Sequence, residues 1–107
     1  MSDVKISINA GICGFTTKVV ATLLEDYQTV KFISIESGCP NIKNMIGKLK
    51  EADSINAVGT RPPENILMKK CYEFIPHPAC PVPCGMVKAC EAAAGLALKK
   101  ESWIKFE

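Results

Sequence analysis

The chain has 107 residues, of which 48% are hydrophobic and 22% charged, and its formal net charge at pH 7 is +2. This length is typical of one globular domain with its own core, so we predict a single cysteine-rich domain over residues 1–107 that needs no disulfide or metal in order to fold. The small net charge, the lack of long cationic runs and the aromatic content of 7% argue against nucleic-acid binding.

The N-terminus lacks the basic and apolar regions of a secretory signal, and no apolar run approaches the length of a membrane span. We therefore expect a cytoplasmic protein without a membrane partner, in a compartment that keeps thiols reduced. Six cysteines in such a compartment indicate metal ligands, redox groups or buried packing residues, in preference to three disulfides.

The first third of the chain predicts a strand, a helix and a second strand. Apolar and polar residues alternate over residues 4–8, which is typical of a half-buried strand, and a loop follows over residues 9–14. Residues 16–26 carry apolar side chains at helical spacing, so a helix is predicted there. Residues 29–36 are β-branched and apolar on both faces, which favours a central strand.

Turn residues divide the middle of the chain into two more predicted helices. The first follows the break at residues 37–40, and its buried stripe consists of Ile42, Met45, Ile46 and Leu49. Residues 52–61 are rich in turn formers, and Pro62-Pro63-Glu64 then starts another short helix. Its apolar side consists of Leu67, Met68, Cys71 and Tyr72.

The last third predicts a loop, a helix and a short strand. Residues 76–83 contain four prolines, which exclude a helix or a central strand. Residues 84–98 are rich in alanine and predict the last helix, and residues 103–106 predict a final strand. The order β-α-β-α-α-α-β therefore indicates an α/β or α+β domain, a small sheet of about three strands packed by about four helices. A parallel crossover between the first two strands and an edge-strand arrangement are both open.

Four of the six cysteines share one context, because each lies in a Gly/Pro turn just before or at the start of a predicted helix. They are Cys13, Cys39, Cys80 and Cys84. A thiol at a helix N-terminus faces unpaired N–H groups and the positive end of the helix dipole, which favour the thiolate. Thiolates bind metals and attack electrophiles, so convergence of these turns would create a reactive or metal-binding site.

The spacing of these four cysteines suggests how they would meet. Cys13 and Cys39 each follow a predicted strand, so parallel pairing would bring both sulfurs to one edge of the sheet. Cys80 and Cys84 form a C-x3-C pair, in which two prolines limit the entropy lost when both bind one ion. The four would then form a tetrahedral set for zinc or iron.

The remaining cysteines and the single histidine are interpreted differently. Cys71 and Cys90 fall at apolar positions of predicted helices, where a free cysteine acts as a small hydrophobic residue. His77 lies between two prolines, typical of a surface loop. Its position three residues before Cys80 also makes it a candidate to replace one sulfur ligand or to shuttle a proton to a thiol.

Three short elements together resemble a known pattern. They are Cys13-Gly14-Phe15, then Val30-Lys31-Phe32 leading into Ser37-Gly38-Cys39-Pro40-Asn41-Ile42, and His77-Pro78-Ala79-Cys80. This arrangement resembles the NifU/IscU-type iron–sulfur cluster scaffold proteins, in which such elements supply the cluster ligands, and its middle and last elements resemble TSCPD-type domains. The chain has Phe15 where the scaffolds have Asp, lacks their L-P-P-V-K motif and adds Cys84. The resemblance therefore implies a distant relative with a different use of the site.

Three functions follow as hypotheses, and whether the protein is an enzyme is left open. The first is a metal-binding module that holds an iron–sulfur cluster or zinc through Cys13, Cys39, Cys80 and Cys84, with His77 as a further ligand. The second is a thiol–disulfide redox protein that uses Cys80 and Cys84. The third is a small interaction domain with buried structural thiols, which binds a protein partner or forms a homodimer.

Overall fold

Residues 3–107, the range that the computed structural model describes, form four strands and four helices. The strands are β1 (Val4–Asn9), β2 (Thr16–Leu23), β3 (Thr29–Ser37) and β4 (Glu51–Asp53). The helices are α1 (Pro40–Met45), α2 (Ser54–Gly59), α3 (Ile66–Tyr72) and α4 (Val82–Ala93). The fold is therefore α+β, and the predicted class is confirmed with one strand more than expected.

The sheet has the order β1-β2-β3-β4, and each neighbouring pair is antiparallel. The prediction of a helix over residues 16–26 was wrong, because most of this segment is β2. Within β2 the buried Thr17, Val19 and Ala21 alternate with more exposed neighbours, and the strand is paired with β1 on one side and β3 on the other. The two strands predicted first are β1 and β3, and no helical crossover joins them, because β2 lies between them in the sheet and is antiparallel to both.

The helices cover one side of the sheet. Helix α4 packs on β1 and β2, and α2 and α3 pack on α4. The core between these layers is a single cluster, whose most deeply buried members include Val19, Val30, Ile42, Met45 and Met86. Within residues 3–107, no helix is both long and apolar enough to cross a membrane.

Several predicted boundaries were wrong because side-chain caps decide them. The segment 52–61 contains most of β4 and the whole of α2, which begins where the Asp53 carboxylate accepts a hydrogen bond from the Ile55 N–H. Helix α3 begins after Asn65 and not at residues 62–64, since the Asn65 side chain accepts the N–H of Met68.

The C-terminal region also differs from the prediction. Helix α4 begins two residues before Cys84 and ends at Ala93, because Gly95 has a positive φ of 73° and the Leu96 N–H bonds to the Glu91 carbonyl at 2.8 Å. This is the bonding pattern of a Schellman end. Residues 103–106 form no strand, and their large side chains are exposed.

Candidate functional site

The loops that carry Cys13 and Cys39 leave the sheet at the same end. Residues at the end of β1 and the start of β2 pair as Asn9 with Thr16, and Thr17 pairs with Ser37 at the end of β3. The hairpin loop over residues 10–15 and the turn after β3 are therefore neighbours. The sequence predicted this proximity from parallel strands, but antiparallel pairing produces it.

The hairpin loop is shaped by glycines and held against the Cys39 turn. Gly11 and Gly14 have positive φ angles of 83° and 75°, and the Gly14 N–H donates to the Gly11 carbonyl at 2.9 Å. The Phe15 ring packs on Gly38, where an added Cβ would lie 2.9 Å from Phe15 Cδ1. Gly38 thus allows Phe15 to cover the turn that leads to Cys39.

Hydrogen bonds from two strands fix the backbone of Cys39. Thr17, which is only 1% exposed, has its Oγ1 2.9 Å from Ser37 Oγ. The Cys39 N–H donates to the same Ser37 Oγ at 3.1 Å, and the Cys39 carbonyl accepts the N–H of Lys43 at 2.9 Å. Cys39 is therefore the N-cap residue of α1 and has little backbone freedom.

Cys80 reaches the same region from the loop that precedes α4. Burial is the largest influence on its thiol and raises its pKa, and a hydrogen bond from the Val82 N–H acts in the opposite direction. The nearby thiols of Cys39 and Cys13 raise the pKa further. At Cys80, burial therefore opposes the thiolate that a helix N-terminus was expected to favour.

Three of the four predicted cysteines, Cys13, Cys39 and Cys80, line one cavity of about 180 Å³ together with His77. We call it the thiol cavity. Its wall also includes Phe15, Thr17 and Asn41. Cys84 does not line it and is exposed on the first turn of α4. In the part of the chain that the structure describes, no three His, Cys, Asp or Glu side chains are arranged to hold one metal ion.

Tyr72 is a neighbour of the site that the sequence assigned to the apolar side of its helix. Its side chain is 39% exposed, and its hydroxyl donates to the Pro78 carbonyl at 3.3 Å. Burial raises the Tyr72 pKa, and the thiols of Cys80, Cys71 and Cys84 raise it further. The phenol therefore lies beside the C-x3-C segment, and helical spacing alone gave no indication of this.

The assignment of Cys71 and Cys90 to the core is confirmed. Both are fully buried, and burial, the largest cause, raises the pKa of each thiol to about 12. A thiol with such a pKa has almost no thiolate at neutral pH, and the thiolate is the reactive form.

We therefore expect iodoacetamide at neutral pH to modify the exposed Cys13 and Cys84 rapidly, but to spare Cys71 and Cys90 until the protein unfolds. Peptide mass spectrometry after timed quenching measures the rate at each cysteine, and a denatured sample gives the reference. Equal native rates at Cys13 and Cys71 would contradict the assignment.

Comparison with known proteins gives a family but no characterised relative. No curated protein and no solved structure matches the chain. The pattern of DUF6951, a family of unknown function, matches residues 4–106. Because this match covers nearly the whole sequence, the chain belongs to the DUF6951 family.

Proposed function

We propose that the protein binds zinc or an iron–sulfur cluster at the thiol cavity. The observation that supports this proposal is that Cys13, Cys39 and Cys80, from three separate loops, line one cavity together with His77. Thiolate sulfur and imidazole nitrogen are the donors that structural zinc prefers, and cysteine thiolates hold most iron–sulfur clusters. The resemblance to NifU/IscU-type scaffolds and TSCPD-type domains agrees with this chemistry and is part of the proposal.

The cysteine and histidine side chains that line the thiol cavity are of the types that bind zinc and iron–sulfur clusters. They must rearrange before they can all bind one metal centre. Cys39 is held at the start of α1, and Cys80 lies two residues before the start of α4. The Cys13 side chain is exposed, whereas those of Cys39 and Cys80 are partly buried, so Cys13 has the most room to reorient. We therefore assign Cys39 and Cys80 as the fixed ligands and Cys13 as the ligand that moves on binding, with His77 as the fourth donor. Cys84 lies outside this set.

The test is elemental analysis and visible absorption of protein isolated without oxygen, followed by reconstitution with zinc or with iron and sulfide. We expect stoichiometric zinc or a charge-transfer band, and loss of stoichiometric binding in Cys39→Ser and Cys80→Ser. Cys84→Ser is the matched control and should bind as the unmodified chain does. Metal-free protein whose melting temperature is unchanged by zinc and by iron with sulfide would refute the proposal.

A second experiment, on the metal-free protein, distinguishes the redox alternative from metal binding. Burial raises the Cys80 pKa and so opposes the thiolate that redox exchange and metal binding both require, which leaves disulfide formation as the measurement that distinguishes them. A Cys80–Cys84 disulfide in metal-free protein, formed reversibly by glutathione disulfide, would favour redox function over metal binding.

We also propose a cytoplasmic location. The six cysteines are all free, which suits a compartment that keeps thiols reduced. Fluorescence microscopy of a tagged full-length chain tests this, and export from the cytoplasm would contradict it.

A further inference from the structure

We propose that a second cavity, between β4 and α3, binds a small organic monocarboxylate with an apolar body. We call it the lysine cavity, and its volume is about 300 Å³, at the lower end of the range for ligand pockets. It lies near the start of β3, where Lys31 pairs with Glu51, whereas the thiol cavity lies beyond Ser37. At ~3.3 Å per residue, Lys31 and Ser37 are about 20 Å apart along β3, so these are separate sites.

The inner wall of the lysine cavity is apolar and firmly placed. Leu49 and Leu67 belong to the core, and Ala52 is half-buried in β4. Ile66 also lines the cavity and is 62% exposed, so its side chain offers apolar surface that nothing within residues 3–107 fully covers. An aliphatic chain placed here would remove this surface from water, at ~25 cal/mol per Å² of apolar area.

The rim carries three lysines, Lys48, Lys50 and Lys70. The one salt bridge among residues 3–107 joins Lys105 to Glu107, so none of the three rim lysines is neutralised by an ion pair in that range. Lys48 Nζ lies 5.6 Å from the centroid of the Phe74 ring, which holds one ammonium group near the rim. These groups are free to donate to an anion.

Two acidic residues limit the charge of the ligand. Glu51 and Asp53 also line the cavity, so three lysines and two carboxylates give a local charge of +1. The Asp53 carboxylate is already engaged, since Oδ1 accepts from the Ile55 N–H and from Gln28 Nε2, each at 3.0 Å. A single carboxylate balances a local charge of +1, whereas a phosphate dianion would leave an excess negative charge beside Glu51.

The probe for this site is hexanoate, titrated into the full-length chain and followed by amide NMR. We expect saturable shifts at Ala52, Ile66 and Leu67 that hexanol and hexylammonium, which lack the carboxylate, do not reproduce. Absence of saturable shifts at these residues, or an equal response to hexanol, would overturn the proposal.

Variants that change the charge of the cavity rim test whether its lysines bind the carboxylate. K50E/K70E should weaken hexanoate binding about tenfold or more, and E51Q should strengthen it roughly two- to fivefold, as expected for exposed charge pairs. K5E/K18E is the matched control, because it changes net charge equally on exposed positions of β1 and β2. Thermal unfolding of each variant checks that the fold is retained. Equal weakening in both double variants would overturn the assignment of the rim lysines.

Discussion

Asn65→Asp is expected to lower the free energy of unfolding at neutral pH by about 3–5 kcal/mol, the cost of an uncompensated buried charge. Asn65 is 2% exposed, and its Nδ2 donates to the carbonyls of Ala57 at 2.8 Å and Thr60 at 2.6 Å. Its Oδ1 accepts the Met68 N–H at 3.0 Å. The change keeps the shape and the helix cap but replaces a donor with a negatively charged oxygen that faces carbonyl oxygens.

The same variant should recover stability relative to the unmodified chain as the pH falls. The introduced carboxyl is buried against carbonyl oxygens, so its pKa in the folded state lies above the unfolded value of about 3.9. The charge penalty is therefore complete above the folded pKa and diminishes as the pH falls through that value toward the unfolded one. Urea unfolding of both chains at a series of pH values measures the difference.

Asn44→Asp is the control for Asn65→Asp. Asn44 is exposed on α1, so the same chemical change there should alter stability by no more than ~0.5 kcal/mol. The prediction is contradicted if both variants lose the same free energy of unfolding, or if the loss at residue 65 does not vary with pH. Burial and the carbonyl partners would then not determine the loss of stability.

Gly85→Val is expected to lower the free energy of unfolding by about 3 kcal/mol, toward the upper end of the range for overpacking. Helix α4 crosses β1 at Gly85, where an added Cβ would overlap Cδ1 and Cγ1 of Ile8. Both residues are buried, and Ile8 is fixed by the pairing of β1 with β2. Either Ile8 must leave its rotamer or the helix must move away from the sheet, and denaturant unfolding will record the loss.

The control for this substitution is Gly59→Val. Gly59 ends α2, and an added Cβ there meets no atom within 4 Å. We expect a change of no more than ~0.5 kcal/mol. Because Cys80 lies two residues before the start of α4, a displacement of the helix in Gly85→Val should also speed alkylation of Cys80. An unchanged stability, or a loss matched by Gly59→Val, would contradict the proposed close contact.

Local sequence patterns predicted the structure correctly where the burial of a residue depends only on the strand or helix to which it belongs. The alternation in residues 4–8 and the apolar run over residues 29–36 correctly predicted β1 and β3. Helical spacing correctly placed Cys71 and Cys90 in the core, because each lies at the centre of the face by which its helix packs, whereas Tyr72 at the edge of the same face as Cys71 is 39% exposed.

Sequence patterns gave the wrong prediction where the same spacing of apolar residues is compatible with a helix and with a strand. In residues 16–26, Val19, Val20, Leu23 and Leu24 suit one face of a helix. The hydrogen bonds that β2 makes with strands on both sides decide in favour of the strand, and a single segment carries no information about those partners. Similarly, the role of Asn65 depends on carbonyl groups of α2 and of the residue that follows it.

The sequence by itself indicated a small α/β or α+β domain with four cysteines in Gly/Pro turns and two in the core. It placed all four turns at helix starts, which is wrong for Cys13, because strand β2 follows its loop. Only the tertiary structure decided which of those turns meet. Antiparallel pairing places Cys13 and Cys39 at one end of the sheet, and the packing of α4 on β1 and β2 brings in Cys80. Cys84 lies within the first turn of α4, whereas Cys80 lies before the helix, and Cys84 is exposed and does not line the cavity.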